Sequence, residues 1–398
     1  MNMHVFPKLV KMILLLFFCM NCLFLTGCWD RREVFDMAIV LGTAVDKTGE
    51  NEIEVTLQVL VPKAVGGEAA GSQASDGNVV IVRSEKGKNI ADATSNLEMQ
   101  LSRNIFWGHC KMFIFGESLA KENGIRKELD FLTRHPQPRE RAYIYIAEGN
   151  AKKFLKEAPS LELYVGEGMR KMIEKKIVVK KTIKDVEEML TSDSPSVILP
   201  YLKLLKNSNE KNQQIMTIYE AVVLDRDKMV RVINNSEMRG LLWIRNETKV
   251  NSITVPLEGQ EYVSVRVVEG TTKLTPSIKN GKWKIDINVS MQCAVIQNET
   301  NLDMMSPKII EKLEKAVGKM TKSKIDDALQ VIQDDIQVDA LGFADAFHKK
   351  YPKEWEKMKG SWNEFLPEIS ISTKVQADVL RAGLTTLPAG LKKEEVKK

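Results

Sequence analysis

An apolar run over residues 12–25, interrupted only by Asn21, ends in Leu25-Thr26-Gly27-Cys28. Lys8 and Lys11 precede it or open it, and no acid occurs before Asp30. About 14 apolar residues are too few for a transmembrane helix, which needs about 20, but they suit the core of a secretory signal. Small residues before a cysteine are what a lipoprotein signal peptidase requires. The expected mature chain therefore begins at Cys28, its thiol carrying a diacylglyceryl group. This constrains everything downstream, because residues 1–27 become an address and the rest a body tethered to a bilayer surface. At about 0.8 kcal/mol per buried methylene, two or more long acyl chains hold stably where a single myristoyl chain binds reversibly.

Composition says that the tethered body folds. Of 398 residues 43% are hydrophobic and 28% charged, with 58 Lys+Arg against 53 Asp+Glu. That supplies a buried core and excludes a disordered chain, a collagen and a polytopic membrane protein. Residues 1–27 hold two lysines and no acid, so their loss lowers the formal charge from +5 to +3. So slight a charge gives no argument for nucleic acid. Cys19 and Cys22 leave with the leader and Cys28 is alkylated, which leaves Cys110 and Cys293. One bridge between them is open on the oxidising side of a membrane, but both sit in strand-like apolar segments, which favours two buried thiols.

Periodicity divides the body into two halves. Residues 37–45 form an apolar, β-branched run and 53–59 alternate with period two, with turn residues 46–51 between them. A Gly/Ser/Ala-rich loop covers 65–78; a strand follows it and no Gly-Lys-Ser/Thr closes it, so it is not a phosphate cradle. Strands at 79–82, 112–115 and 143–147 with helices at 89–101 and 120–133 imply a mixed sheet covered by helices. Pro195, Pro200 and the polar stretch 207–214 read as a linker, which puts the main boundary there. Strands are then expected at 219–224, 229–233, 241–244, 252–256, 262–268 and 282–295. Asp225-Arg226-Asp227-Lys228 and Asn280-Gly281 look like hairpin turns. Ser306-Pro307 opens a long amphipathic helix reaching Gln337, with a bend near 321–323. A helical stretch over 340–357, an alternating strand over 368–380 and a frayed, charged tail over 392–398 complete the chain. The fold class is α+β, with mixed and antiparallel sheets covered by helices.

Catalytic equipment is scarce. After the leader only His109, His135 and His348 remain, and no HExxH, CxxC, GxSxG or paired Cys/His spacing occurs. His109 and Cys110 are neighbours, and adjacent strand residues point to opposite faces, so they do not form a thiol–imidazole pair. Arg170, Lys171, Lys175, Lys176, Lys180, Lys181 and Lys184 make residues 168–190 basic. The plain reading is a solvated helical face; the functional one is contact with anionic headgroups or an acidic partner.

The cleavage site itself reads Cys28-Trp29-Asp30-Arg31-Arg32-Glu33-Val34, which resembles the C subunit of bacterial spore germinant receptors, the Ger(x)C family. The likeness continues through His109-Cys110-Lys111, Phe113-Ile114-Phe115-Gly116-Glu117, Leu129-Asp130-Phe131-Leu132-Thr133-Arg134, Arg139 and Glu148-Gly149-Asn150-Ala151. In the second half Glu237-Met238-Arg239-Gly240, Asp339-Ala340-Leu341-Gly342-Phe343, Tyr351-Pro352, Trp355 and Trp362 with Phe365-Leu366-Pro367 match the family's pattern. His135 stands where the pattern has an acid and Tyr219 where it has a glycine. The resemblance implies a lipoprotein on the outer face of the spore inner membrane, held in the bilayer through diacylglyceryl on Cys28. It implies assembly with an A subunit and a transporter-like B subunit, no cofactor and no catalysis. It also implies three α+β domains: leader 1–27, N-terminal α/β domain 28–195, linker and middle β-rich domain 196–258, C-terminal domain 259–391 with the long helix, and the tail 392–398. Trp29, Asp30 and Glu33 are candidate membrane-boundary or subunit contacts. Two other classes compete: a lipoprotein solute-binding protein delivering a small nutrient to a permease, with a deep cleft between lobes, and an extracytoplasmic hydrolase with convergent polar groups in one pocket.

Overall fold

The computed structural model describes residues 13–17, 36–61, 79–157, 162–175, 178–206, 214–248, 252–383, 385 and 388–397. The Gly-rich loop expected over 65–78 lies outside them.

Parallel strands buried on both faces organise the first sheet. Its strands are β1 (Met37–Lys47), β2 (Ile53–Leu60), β3 (Val80–Gly87), β4 (Asn104–Phe106), β5 (Met112–Gly116), β6 (Tyr143–Ala147), β7 (Ser196–Lys206), β8 (Gln214–Asp225) and β9 (Lys228–Ile233). They run in the order β3-β2-β1-β5-β6-β7-β8-β9, with β4 beside the start of β1. β1, β5, β6 and β7 are mutually parallel, and antiparallel hairpins extend both ends. Every residue of β5 and β6 is buried. That is how strands read when helices cover both sides of a sheet. On one face Phe113, Phe115 and Ile144 pack under α1 (Ile90–Glu98), α2 (Arg126–Arg134) and α5 (Ile183–Leu190). On the other, Ile114 and Tyr145 pack under α3 (Lys152–Lys156) and α4 (Val165–Glu174).

The second sheet has the order β10 (Ser252–Glu258), β11 (Glu261–Lys279), β12 (Lys282–Asn298), β13 (Ser370–Arg381). Asn280 and Gly281, at φ 50° and 74°, make the two-residue turn between β11 and β12 that the sequence announced. Along β12 the buried Ile285, Ile287, Val289, Met291 and Cys293 alternate with outward polar residues. The inner face is covered by α6 (Asn235–Ile244) and α7 (Pro307–Leu329). α7 belongs to the crossover that a parallel β12–β13 pair demands. A single hydrophobic cluster runs from Ile114, Tyr145 and Ile198 of the first sheet through Met238 and Trp243 to Ile287 and Leu313 of the second unit.

The expected boundaries need correction. Residues expected as linker are β7, whose Val197, Ile198 and Leu199 are fully buried. Pro200 argued against a central strand, yet it falls just before the short ladder to β6, where Ile146 pairs with Tyr201 and Ala147 with Leu202. The proposed middle domain over 196–258 has no sheet of its own among the described residues: β7–β9 join the first sheet, β10 the second. Gly259, expected to divide domains, is the positive-φ turn of the β10–β11 hairpin. The strand expected at 241–244 is the last turn of α6, which starts at a capping box of Asn234 and Glu237. α7 is continuous through 321–323; its irregularity is a π-helical segment, Gln330–Ile336, ending at Gln337 with φ 53°. The C-terminal tail is tied down rather than frayed. Lys397 accepts from Asp303 N and donates to Asn301 O, at 2.8 and 2.9 Å.

Candidate functional site

Cys28, Trp29, Asp30 and Glu33 all lie outside the described residues. The described body begins at Asp36, where Met37 pairs with Asn104 of β4. The end of the first sheet nearest the expected anchor is therefore the starts of β1, β4, β5 and β6. A cleft of about 610 Å³ opens there, lined among others by Asp36, Phe106, Trp107, Phe131, His135 and Gln137. Trp107, 1% exposed, is its floor. The indole meets Phe131 edge-on at 5.7 Å, and Trp107 N–H donates to Gln137 Oε1 at 3.0 Å. His135, the departure from the family pattern, meets the Phe131 ring at 5.2 Å in a tilted arrangement, and burial holds its pKa below the usual histidine value.

The motifs resolve into structural knots. Gly116 must be glycine because a Cβ there would stand 2.2 Å from Asp46 Oδ1. Asp46 is 3% exposed and accepts from the N–H groups of Ala151 and Lys152 at 2.7 and 2.9 Å. Burial raises its pKa, and those two bonds oppose the rise. Glu117 accepts from Gly149 N at 3.0 Å, so Gly116-Glu117 and Glu148-Gly149-Asn150-Ala151 form one corner. Asp46 was read only as the start of a turn; an acid closing an apolar run was the available signal.

A second knot joins the two units. Asp339, 2% exposed, accepts from the N–H groups of Leu341, Gly342, Phe343 and Ala344 at 2.6–3.2 Å and from Trp362 Nε1 at 3.0 Å. Its carbonyl accepts from Ser196 Oγ at 2.7 Å, in β7 of the first sheet. Beside it Glu247 takes bonds from Lys181 and Arg245, both at 2.9 Å, and Arg245 also donates to Ala340 O at 2.9 Å. Gly240 of α6 crosses α7 so closely that a Cβ would lie 1.8 Å from Lys324 O. The aspartate motif thus joins the two units, and the glycine motif lets α6 and α7 cross closely within the second.

The basic stretch 168–190 is largely paired. Arg170 meets Glu167 and Glu174 at 2.5 and 2.7 Å, Lys171 meets Glu162 at 2.8 Å, and Lys184 lies 3.7 Å from Glu188. Lys111 donates to Glu167 at 2.6 Å and to Tyr164 Oη at 3.2 Å. Bonds from Arg170 and then Lys111 hold the Glu167 carboxyl down to about 2. Cys110 and Cys293 are free and buried, and burial pushes the Cys110 thiol up to about 12, far from a nucleophile's range. Among the described residues no group of three His, Cys, Asp or Glu could hold a metal, and no helix is long and apolar enough to cross a membrane.

Comparison with known proteins accounts for this arrangement. The spore germination protein N-terminal domain matches residues 30–204, and the spore germination B3/GerAC-like C-terminal domain matches 220–383. Spore germination protein KC of Bacillus subtilis (strain 168) is 28% identical over 397 residues, covering 95% of this chain and 97% of that protein. Spore germination protein B3 of the same strain is 22% identical over 371 residues, covering 90% and 95%. The crystal structure of the GerBC protein has a TM-score of 0.56 at 18% identity, covering 85% of this chain and 97% of that one, which speaks for a shared fold. With both domains matched in order along one chain, the protein belongs to the Ger(x)C family of spore germination proteins.

Proposed function

We propose that the protein is a lipid-anchored, non-catalytic scaffold subunit of a nutrient germinant receptor, acting with A and B subunits on the outer face of the spore inner membrane. The observation that carries this reading is the lipobox ending at Cys28, two residues before the match to the family's N-terminal domain begins at residue 30. The diacylglyceryl group on Cys28 attaches the chain, and Trp29, Asp30 and Glu33 follow it directly in sequence, where they can meet headgroups or a membrane subunit. The competing solute-binding reading calls for two lobes parted by a deep cleft, whereas one hydrophobic cluster fills the space between these sheets. Cys28→Ala tests the proposal in spores: loss of lipid labelling, of membrane location and of the germinant response is expected. Wild-type response and membrane location in that variant overturn it.

A further inference from the structure

A second cleft, of about 430 Å³, opens at the same end of the first sheet. His109, Lys111, Arg139, Arg141, Arg170 and Lys180 all line it. Glu174 is the acid in its wall, and with Glu167 it is already engaged by Arg170 and Lys111. Lys180 lies over the Tyr143 ring, 5.3 Å from its centroid. Arg139 and Arg141 are exposed and form no ion pair with any described residue. Glu140, between them in the chain, does not line the cleft. Arg139, Arg141 and Lys180 thus stand in the cleft without a carboxylate partner among the described residues, and like charges so gathered repel one another, an arrangement that an incoming anion relieves.

The position of the cleft says which anion. Met37 opens β1 and pairs with Asn104; β4 then leads through Trp107 and Gly108 to His109 in the cleft wall. The rings of Phe106 and His109 lie 6.0 Å apart, so the aromatic cleft beside Asp36 and the basic one share this loop. Eight residue steps separate Asp36 from Cys28. At about 3.6 Å per residue the tether reaches at most about 29 Å. We infer that the cleft formed by His109, Lys111, Arg139, Arg141 and Lys180 seats the phosphate of an anionic phospholipid headgroup, fixing this end of the body against the bilayer. The inference rests on the anchored reading above, and it adds an orientation that acyl chains on one residue do not supply.

The test uses the full chain with vesicles of phosphatidylcholine alone or mixed with phosphatidylglycerol, reading flotation and hydrogen exchange. Phosphatidylglycerol is expected to slow exchange over residues 106–111 and 139–143, and added salt to reverse this within the range that screens surface charge. Arg139→Ala and Arg141→Ala, both at exposed positions, should each weaken the phosphatidylglycerol-dependent part about fivefold. Equal exchange on both vesicles, with the chain floating on both, overturns the cleft while leaving the anchor standing. A chain that floats only with phosphatidylglycerol, and is protected there, supports the cleft and overturns the anchor. Floating with neither overturns both. Protection that survives both substitutions, or that inorganic phosphate reproduces on phosphatidylcholine, overturns the headgroup assignment.

Discussion

In β5 of the first sheet Met112, Phe113, Ile114, Phe115 and Gly116 are all buried; in β12 of the second, Ile285, Ile287 and Val289 are buried while Asn288 and Ser290 face out. The first sheet is a central layer with helices on both sides, so its faces are unavailable and only its ends can meet a partner. The second is covered by helices on one side only among the described residues, so much of its other face stays open. The two units thus offer different kinds of surface: the first an end, with its aromatic and basic clefts beside the tether, the second a broad polar sheet face. If the proposed anchoring holds, the first unit's end is the one that faces the bilayer and the second unit's sheet face points elsewhere.

The sharpest way to break this comparison is substitution of adjacent residues. Phe113→Ala and Ile114→Ala should each lower unfolding free energy by about 2–5 kcal/mol in denaturant titration, because both side chains are fully buried. Ile287→Ala should cost as much, but Asn288→Ala only within about 0.5 kcal/mol. A small loss at either Phe113 or Ile114 would mean that one face of the first sheet is open after all. Next in size is Gly240→Ala, where α6 crosses α7 over the second sheet. Helix propensity alone favours alanine by about 1 kcal/mol. The contact with Lys324 O should reverse that to a net loss of about 2 kcal/mol. A gain in thermal midpoint would show that the helices do not cross so closely.

The smallest effect separates the regions by pH. Glu167, at the tethered end of the first sheet, is depressed from 4.5 to about 2. Its contribution is therefore complete above pH 4.5 and is lost as pH falls through 2. Glu167→Gln should remove about 1 kcal/mol at neutral pH, since Lys111 and Arg170 are about a third exposed and water screens them. It should also flatten the acid limb of stability in that window. An unchanged acid limb would place the pH dependence elsewhere in the molecule.

Much of this was legible in the chain. The alternation in β11 and β12, the Asn280-Gly281 turn and the Ser306-Pro307 helix start are local signals, each set by residues within a few positions. α6 was missed because Leu241, Leu242, Trp243 and Ile244 are buried together. A short apolar run reads alike as strand or helix, and the Asn234–Glu237 capping box was the deciding clue. The candidate site divides in the same way. The Cys28 proposal rests on a linear motif alone, read without any fold. The basic cleft draws His109 and Lys111, Arg139 and Arg141, and Lys180 from three separate segments, and linear spacing could not gather them.

What the sequence by itself determined is the family and the local elements, because motifs, turns, caps and periodicity all act over short range. The tertiary structure decided which sheet β7 joins, why Gly240 and Asp339 matter, and which lysines are already paired. The deciding contacts, Gly240 with Lys324, Ser196 with Asp339, Lys181 with Glu247 and Lys111 with Glu167, join residues more than fifty positions apart, brought together by burial of one continuous core.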